Sequence, residues 1–296
     1  MIVVTAPAGD IGHQVVAKLL RAGAPVRIIA RDPSKLSNDV RLQVEVVQGS
    51  HSDPEIVNRA FMGADALFWL VAADPHAESL EAAYVDFTRP AIAALKTNGV
   101  KRVVCISGLG RGTPFARKAG HITGSLAMDD LIASTGVALR TLTMPSFMEN
   151  IARRAKAIQD QGIFSSPISG DLKMPTCATR DIADMAARWL VDENWSDQKD
   201  VAVLGPEDLS FNDMAAIMSD VLGRPVRFHQ TTFDEYKTQF LRYGFSEAMA
   251  QGMTDMMYAK NQGLDLGVPR TPENTTPTSF RQWCEDTLKP AALSQG

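Results

Sequence analysis

Apolar residues in the first half of the chain come in short continuous runs. Each run is followed by a stretch in which they recur every three or four positions. Residues 2–5 are apolar and β-branched, the pattern of a strand buried on both faces. After the small-residue turn Ala6-Pro7-Ala8-Gly9, the side chains Ile11, Val15, Val16, Leu19 and Leu20 fall on one helical stripe that Gly23 ends. Further strands are predicted over 26–30, 44–47, 66–71, 102–107 and 138–144. Helices are predicted from Asp53-Pro54, over 80–98 and over 125–134, with Pro90 expected to kink or break the long one. Strands alternating with helices at this spacing predict an α/β fold, a Rossmann-like doubly wound parallel sheet covered on both faces.

Past residue 150 the pattern becomes more helical and richer in Met and aromatics. Ile182, Met185, Ala186, Trp189 and Leu190 form one stripe, and Met214, Ile217, Met218, Val221 and Leu222 another. Short strands are expected over 201–204 and 226–228, and helices over 233–243, 247–261 and 279–288. This shift predicts an NAD(P)-binding domain over 1–150, completed by the strand near 200–205. A smaller, mostly helical domain over 151–296 would form a substrate cleft.

The chain has 296 residues, 45% of them hydrophobic, and a formal net charge of −4. These values exclude disordered, collagen-like and coiled-coil chains. The acidic balance argues against nucleic acid as a partner. Three separated cysteines give neither a disulfide framework nor a zinc site. The N-terminus lacks the features of a signal peptide, and no apolar run approaches the roughly 20 residues of a membrane span. A cytosolic location without membrane association is the expectation. Five histidines are scattered singly, so no metal site is expected. The absence of G-x-S-x-G removes the α/β-hydrolase reading.

The segment from Val3 to Gly12 carries the most chemistry. Thr5, Ala6, Ala8, Gly9, Asp10, Ile11 and Gly12 make a strand end, a tight turn and a helix start. A dinucleotide site needs this order, because the turn admits a pyrophosphate and the helix N-terminus faces it with free N–H groups. Gly9 removes a Cβ from the approach, and Gly12 lets the helix pack on the sheet. The alternative is an ordinary strand-to-helix turn. Counting from Gly12, Arg31 lies 19 and Asp32 lies 20 positions on, so counting does not choose between a 2′-phosphate and a free ribose. Strand periodicity makes Arg31 the first residue out of the strand and Asp32-Pro33 the turn, with Lys35 adding charge. This favours NADPH over NADH.

The turn, the run Arg31-Asp32-Pro33-Ser34-Lys35 and the segment Met144-Pro145-Ser146-Phe147-Met148-Glu149-Asn150 together resemble the NmrA-like branch of the atypical short-chain dehydrogenase/reductases. Thr179-Arg180-Asp181, Leu204-Gly205-Pro206-Glu207 and Val221-Leu222-Gly223-Arg224-Pro225 fit in order and spacing. The resemblance implies NAD(P)H binding, with Val71 and Ala72 along the cofactor. It also implies Ser107 and Gly108 beside the nicotinamide, and Met144, Pro145, Ser146 and Phe147 at the nicotinamide end of the cofactor. Relatives in the family include quinone and dye reductases and redox-sensing regulators without turnover. Two departures stand out. The first turn glycine is Ala6. The Tyr-x-x-x-Lys pair of ordinary short-chain dehydrogenases is replaced by His121-Ile122-Thr123-Gly124-Ser125, so Ser125 also replaces the Lys of the family's His-x-x-x-Lys.

Two polar groups are candidates for chemistry. Ser107 could point its hydroxyl at a substrate carbonyl or cap the next loop. His121 could supply a proton near neutral pH or be a loop histidine in solvent. Asp129-Asp130 read as a solvated helix surface. Met249, Met253, Met256 and Met257 read as core or as a surface for a flat ligand. The leading expectation is an NADPH-dependent reductase of a planar, apolar, conjugated electrophile such as a quinone. The alternatives are an NADP(H)-binding redox sensor acting on a protein partner and a biosynthetic reductase or isomerase. A homo-oligomer is compatible with each.

Overall fold

The apolar runs of the first half become strands β1 (Ile2–Thr5), β2 (Val26–Ala30), β3 (Glu45–Gln48), β4 (Ala66–Trp69), β5 (Arg102–Gly108) and β6 (Ala138–Met144). These come from a computed structural model, which describes residues 1–293. The remaining strands are β7 (Ser146–Phe147), β8 (Ile163–Ser166), β9 (Met174–Cys177), β10 (Gln198–Ala202), β11 (Asp208–Leu209) and β12 (Arg227–Gln230). One seven-stranded sheet runs in the order β10-β6-β5-β4-β1-β2-β3. Its β3-β2-β1-β4-β5 portion is parallel throughout. The order reverses beside β1, the switch point at which open α/β sheets take their ligands.

β4 stops at Trp69, two residues before the apolar run does. The Leu70 N–H leaves the ladder and donates to Thr5 Oγ1 at 2.8 Å. The helix Pro54–Phe61 starts where expected, with the Asp53 carboxylate accepting from the N–H groups of Glu55 and Ile56. Pro90 does not break the helix Phe87–Asn98. The turn Ala82–Asp86 ahead of it is π-helical. A proline has no N–H for the carbonyl four residues back and its ring crowds that carbonyl, here Asp86, so the widened turn absorbs both effects.

Internal contacts divide the chain into two units that interleave along the sequence. The first holds Met1–Gly108, Gly124–Thr143 and Ile182–Val201, and the second Leu109–Thr123, Met144–Asp181 and Ala202–Gly296. The first unit buries Val3, Phe61, Leu67, Trp69, Leu95 and Met128 in one cluster. β10 joins this unit at the sheet edge, three residues earlier than the apolar run at 201–204 suggests. It is fastened by the buried Arg140 of β6. That guanidinium bonds Asp197 and lies 4.6 and 4.4 Å from the ring centroids of Trp189 and Trp195. Backbone pairing and this cation–π contact position the strand, so its residues need no apolar pattern.

The second unit is mostly helical, with Phe211–Leu222, Phe233–Arg242 and Glu247–Asn261 as its longest helices. It carries a three-stranded sheet, β11-β9-β7, and a two-stranded one, β12-β8. Its core gathers Met148, Phe164, Met214, Met218, Phe280 and Trp283.

Candidate functional site

At the switch point, the β1 strand leads into the turn Ala6–Gly12. Ala6 has φ +49°, the one non-glycine residue with positive φ among the described residues. The turn thus needs a left-handed residue at the position where the family carries glycine. An L-residue there costs about 1–2 kcal/mol. Pro7 is buried, whereas Ala8, Gly9 and Asp10 are exposed at the tip. The Gly9 N–H closes the turn on the Ala6 carbonyl at 3.1 Å. No side chain caps the N-terminus of the helix Gly12–Arg21. Its positive end therefore meets whatever occupies the turn. A Cβ on Gly12 would lie 2.1 Å from the Ala6 carbonyl oxygen, which is why this position must be glycine.

Thr5 ends β1 beneath the turn. Its side chain is fully buried and its hydroxyl is shared between the carbonyls of Phe68 and Leu70, at 3.1 and 3.2 Å. His51, which the sequence did not single out, reaches the same Leu70 carbonyl from beyond β3, with Nε2 at 3.1 Å. Its ring stands edge-on to Trp69 and Phe87 at 5.1 and 4.7 Å. Burial pushes its pKa down to about 4, and the Arg31 charge adds to the shift. The ends of β1, β3 and β4 are thus tied to one peptide, just before Val71 and Ala72, which are half-buried and exposed.

Arg31 is the first residue after β2 and is exposed, as is Lys35. Asp32 is occupied. Its Oδ1 accepts from the Ser34 hydroxyl at 2.6 Å and from the Ser34 N–H at 3.0 Å, capping the short helical turn Pro33–Lys35. These bonds lower its pKa, the side-chain one most.

Ser107 lies near the end of β5, followed by the buried Gly108. Its hydroxyl donates to Asp129 Oδ2 in a short bond and contacts Ser125 Oγ at 2.9 Å. Asp129 Oδ1 accepts from the Cys105 thiol at 3.5 Å. The reading of Asp129-Asp130 as a solvated pair is corrected for Asp129, which is 1% exposed. Neighbours on a helix point about 100° apart, so one turns inward and Asp130 outward. Burial, then the Asp129 charge, push the Cys105 thiol well up in pKa.

The other expected residues lie in the second unit. His121 is not a loop residue. It begins the helix His121–Ala133 and is 8% exposed. Its Nε2 donates to the Met249 carbonyl at 3.1 Å, and burial lowers its pKa. Met144 and Pro145 are buried, and Ser146 and Phe147, which form β7, are half-buried. Met249 is fully buried, while Met253, Met256 and Met257 are partly exposed. Several family-motif residues are structural pins. Glu149 accepts from the Thr179 N–H at 3.0 Å and from Trp283 Nε1 at 3.1 Å. Asp181 accepts from the hydroxyl and N–H of Thr278 at 2.8 and 3.1 Å. Among the described residues no group of three or more His, Cys, Asp or Glu could hold a metal. No helix among them is long and apolar enough to cross a membrane.

Comparison with known proteins places this arrangement in context. The chain is 28% identical over 285 residues to an NAD(P)H azoreductase of Xenophilus azovorans, covering 96% of each chain. It is 31% identical over 288 residues to the (4-alkanoyl-5-oxo-2,5-dihydrofuran-3-yl)methyl phosphate reductase of Streptomyces griseus, again covering 96% of each. Its fold matches the crystal structure of an NADPH-dependent quinone oxidoreductase of Escherichia coli complexed with NADPH. That match has TM-score 0.79 and 20% identity, over 95% of this chain and 98% of the other. The model of the NmrA-like family covers residues 1–270, more than nine-tenths of the chain, and the protein belongs to that family.

Proposed function

We propose that the chain is a cytosolic NADPH-dependent reductase that passes hydride to a planar, conjugated, largely apolar acceptor such as a quinone or an azo dye. The observation that carries the cofactor is the exposed Arg31 beside an Asp32 whose carboxylate is already engaged by Ser34. Arg31, with Lys35 nearby, binds the 2′-phosphate. Ser34 takes Oδ1 of Asp32 and leaves only Oδ2 toward a ribose hydroxyl, so the choice of NADPH rests on the Arg31 charge. The turn tip and the uncapped helix N-terminus receive the pyrophosphate. Val71 and Ala72, held by the Thr5 and His51 clamp on Leu70, line its path. Bound NADPH supplies the hydride.

Proton supply sets the acceptor class. The chain has no Tyr-x-x-x-Lys pair. Burial keeps His121 neutral at pH 7, with an N–H committed to Met249, so it is not a proton source there. A quinone or azo acceptor spreads the charge it receives, and water then protonates it. Orientation over the nicotinamide does most of the work. The names of the azoreductase and of the furanyl phosphate reductase support this class, since both act on conjugated acceptors. The test is NADPH consumption across a panel of quinones, azo dyes and enones. Consumption with at least one class is expected. Tight NADPH binding with no consumption by any of them would refute the reductase reading and favour the redox sensor.

A further inference from the structure

A cavity of about 170 Å³ lies inside the second unit. Pro175 of β9 and Asp208 of β11, register partners in an antiparallel pair, line it together with Leu204. The rest of the lining comes from the segment 265–270. That segment follows the helix Glu247–Asn261, and Gly263 at φ +94° turns the chain back. Asp265 thereby meets Lys260, whose Nζ donates to Oδ2 at 2.5 Å. Both side chains are buried, the lysine 4% and the aspartate 1% exposed. Asp265 Oδ1 is buried as well and has no partner among the described residues. At the other end of the segment, Arg270 donates from Nε to the Gly205 carbonyl at 2.8 Å and from Nη2 to Asp208 at 2.5 Å. Its Nη1 stands outside both bonds.

A buried carboxylate oxygen without a donor costs free energy that a bound N–H group recovers. The charges around the cavity are already paired, Lys260 with Asp265 and Arg270 with Asp208. A ligand with a net charge would bring in a charge that nothing compensates, whereas a ligand carrying both signs would not. A cavity of about 150 Å³ takes a benzene-sized molecule, about six non-hydrogen atoms. We propose that this cavity binds a small zwitterionic amino acid. The ammonium group donates to Asp265 Oδ1, the carboxylate accepts from Arg270 Nη1, and a short apolar side chain meets Leu204, Val268 and Pro175. The proposal does not depend on the NADPH reading above.

Titration calorimetry of the full chain with L-alanine tests it. Two charge-assisted bonds support a Kd of about 0.05–5 mM. Propionate, which lacks the ammonium group, and alaninamide, which lacks the carboxylate, should each bind at least about 10-fold more weakly. Arg270→Gln should weaken alanine by at least about 10-fold, and so should Asp265→Asn. Val268→Phe should abolish binding by filling the cavity. Asp265→Asn leaves the Lys260 charge buried without a counter-charge; if that variant does not fold, the Arg270 and Val268 variants and the ligand series decide. Absence of saturable alanine binding would overturn the proposal and leave the cavity to water. Propionate or alaninamide binding as tightly as alanine would overturn it too, as would a folded Val268→Phe protein that binds alanine like wild type.

Discussion

Two glycines three residues apart in the phosphate turn should respond in opposite ways to a side chain. A Cβ on Gly12 would sit 2.1 Å from the Ala6 carbonyl oxygen, 2.8 Å from its carbon and 3.1 Å from Pro7 Cα. All three are backbone atoms, and Ala6 is already held at φ +49°. Relief requires the helix and the turn to part by roughly 1 Å at a close-packed junction. Such overpacking costs about 1–3 kcal/mol when side chains can adjust. With backbone on the receiving side, Gly12→Ala should reach the top of that range, about 3 kcal/mol. At about 2–4 °C per kcal/mol for a chain of this order, Tm should fall by roughly 6–12 °C. Gly9 is exposed, and the nearest atom to its Cβ would be the Ala6 oxygen at an ordinary 3.5 Å. Gly9→Val should therefore leave Tm within about 2 °C of wild type while abolishing NADPH binding, since the added atoms fill the space in front of the helix N-terminus. Thermal melts followed by circular dichroism, paired with NADPH titrations, separate the two effects. A Gly12→Ala protein that melts with wild type would refute the steric argument. A Gly9→Val protein that binds NADPH normally would show that the pyrophosphate does not lie there.

Arg31→Ala should weaken NADPH selectively by roughly 10- to 150-fold, the worth of a charge-assisted bond; equal losses for NADH and NADPH in parallel titrations would count against it. The depressed pKa of His51 gives a pH signature. In the unfolded chain it titrates near the ordinary 6.5 and in the fold at about 4, so the unfolded state binds its proton first as pH falls. Its contribution to stability is complete above about pH 6.5 and drains away toward pH 4. His121 shifts in the same direction. Urea melts from pH 7 to 4.5 should show stability falling over this window, with a flatter slope in His51→Asn; an unchanged slope would mean that His51 is not kept neutral. Secondary alcohols with NADP should be poor substrates beside quinones, and His121→Ala should lower quinone turnover less than about ten-fold, well short of the 100- to 1,000-fold seen when an oxyanion donor is lost. Efficient alcohol oxidation would reveal a proton acceptor absent from this account.

Much of the first unit is legible in the chain because its strands are apolar on both faces. Runs such as Val26-Arg27-Ile28-Ile29-Ala30 stand out between turn residues, and the observed strand has those bounds. The turn was legible for the same reason, since a strand, a small-residue bend and a helical stripe leave few alternatives. The two-residue strands β7 and β11 were not, because two residues show no period. β10 is exposed along most of its length and is held by Arg140, a long-range contact that periodicity does not report. The buried carboxylate was missed because Asp129 and Asp130 are identical residues side by side. The helix that carries them has its polar residues spread around the axis with no apolar stripe, so its sequence does not mark which face turns inward. His51 carries no local signal, since its partners Leu70 and Phe87 come from later in the chain.

The interleaved path of the chain bears on how the protein is made. β6 leaves the ribosome with one neighbour, β5, already synthesised, while its other neighbour, β10, has not yet been translated. Until all of the second unit's segment Met144–Asp181 and the helix Thr179–Val191 have emerged, the sheet ends in an open β6 edge with Arg140 lacking its ring partners and its aspartate. An open apolar edge is a template for pairing with another chain. A stall or a premature stop in this interval would release a product with most of the nucleotide-binding elements and an exposed seam, prone to aggregate. Completion of the sheet by residues 198–202 therefore comes late, in chains that have already made the second unit's segments Leu109–Thr123 and Met144–Asp181.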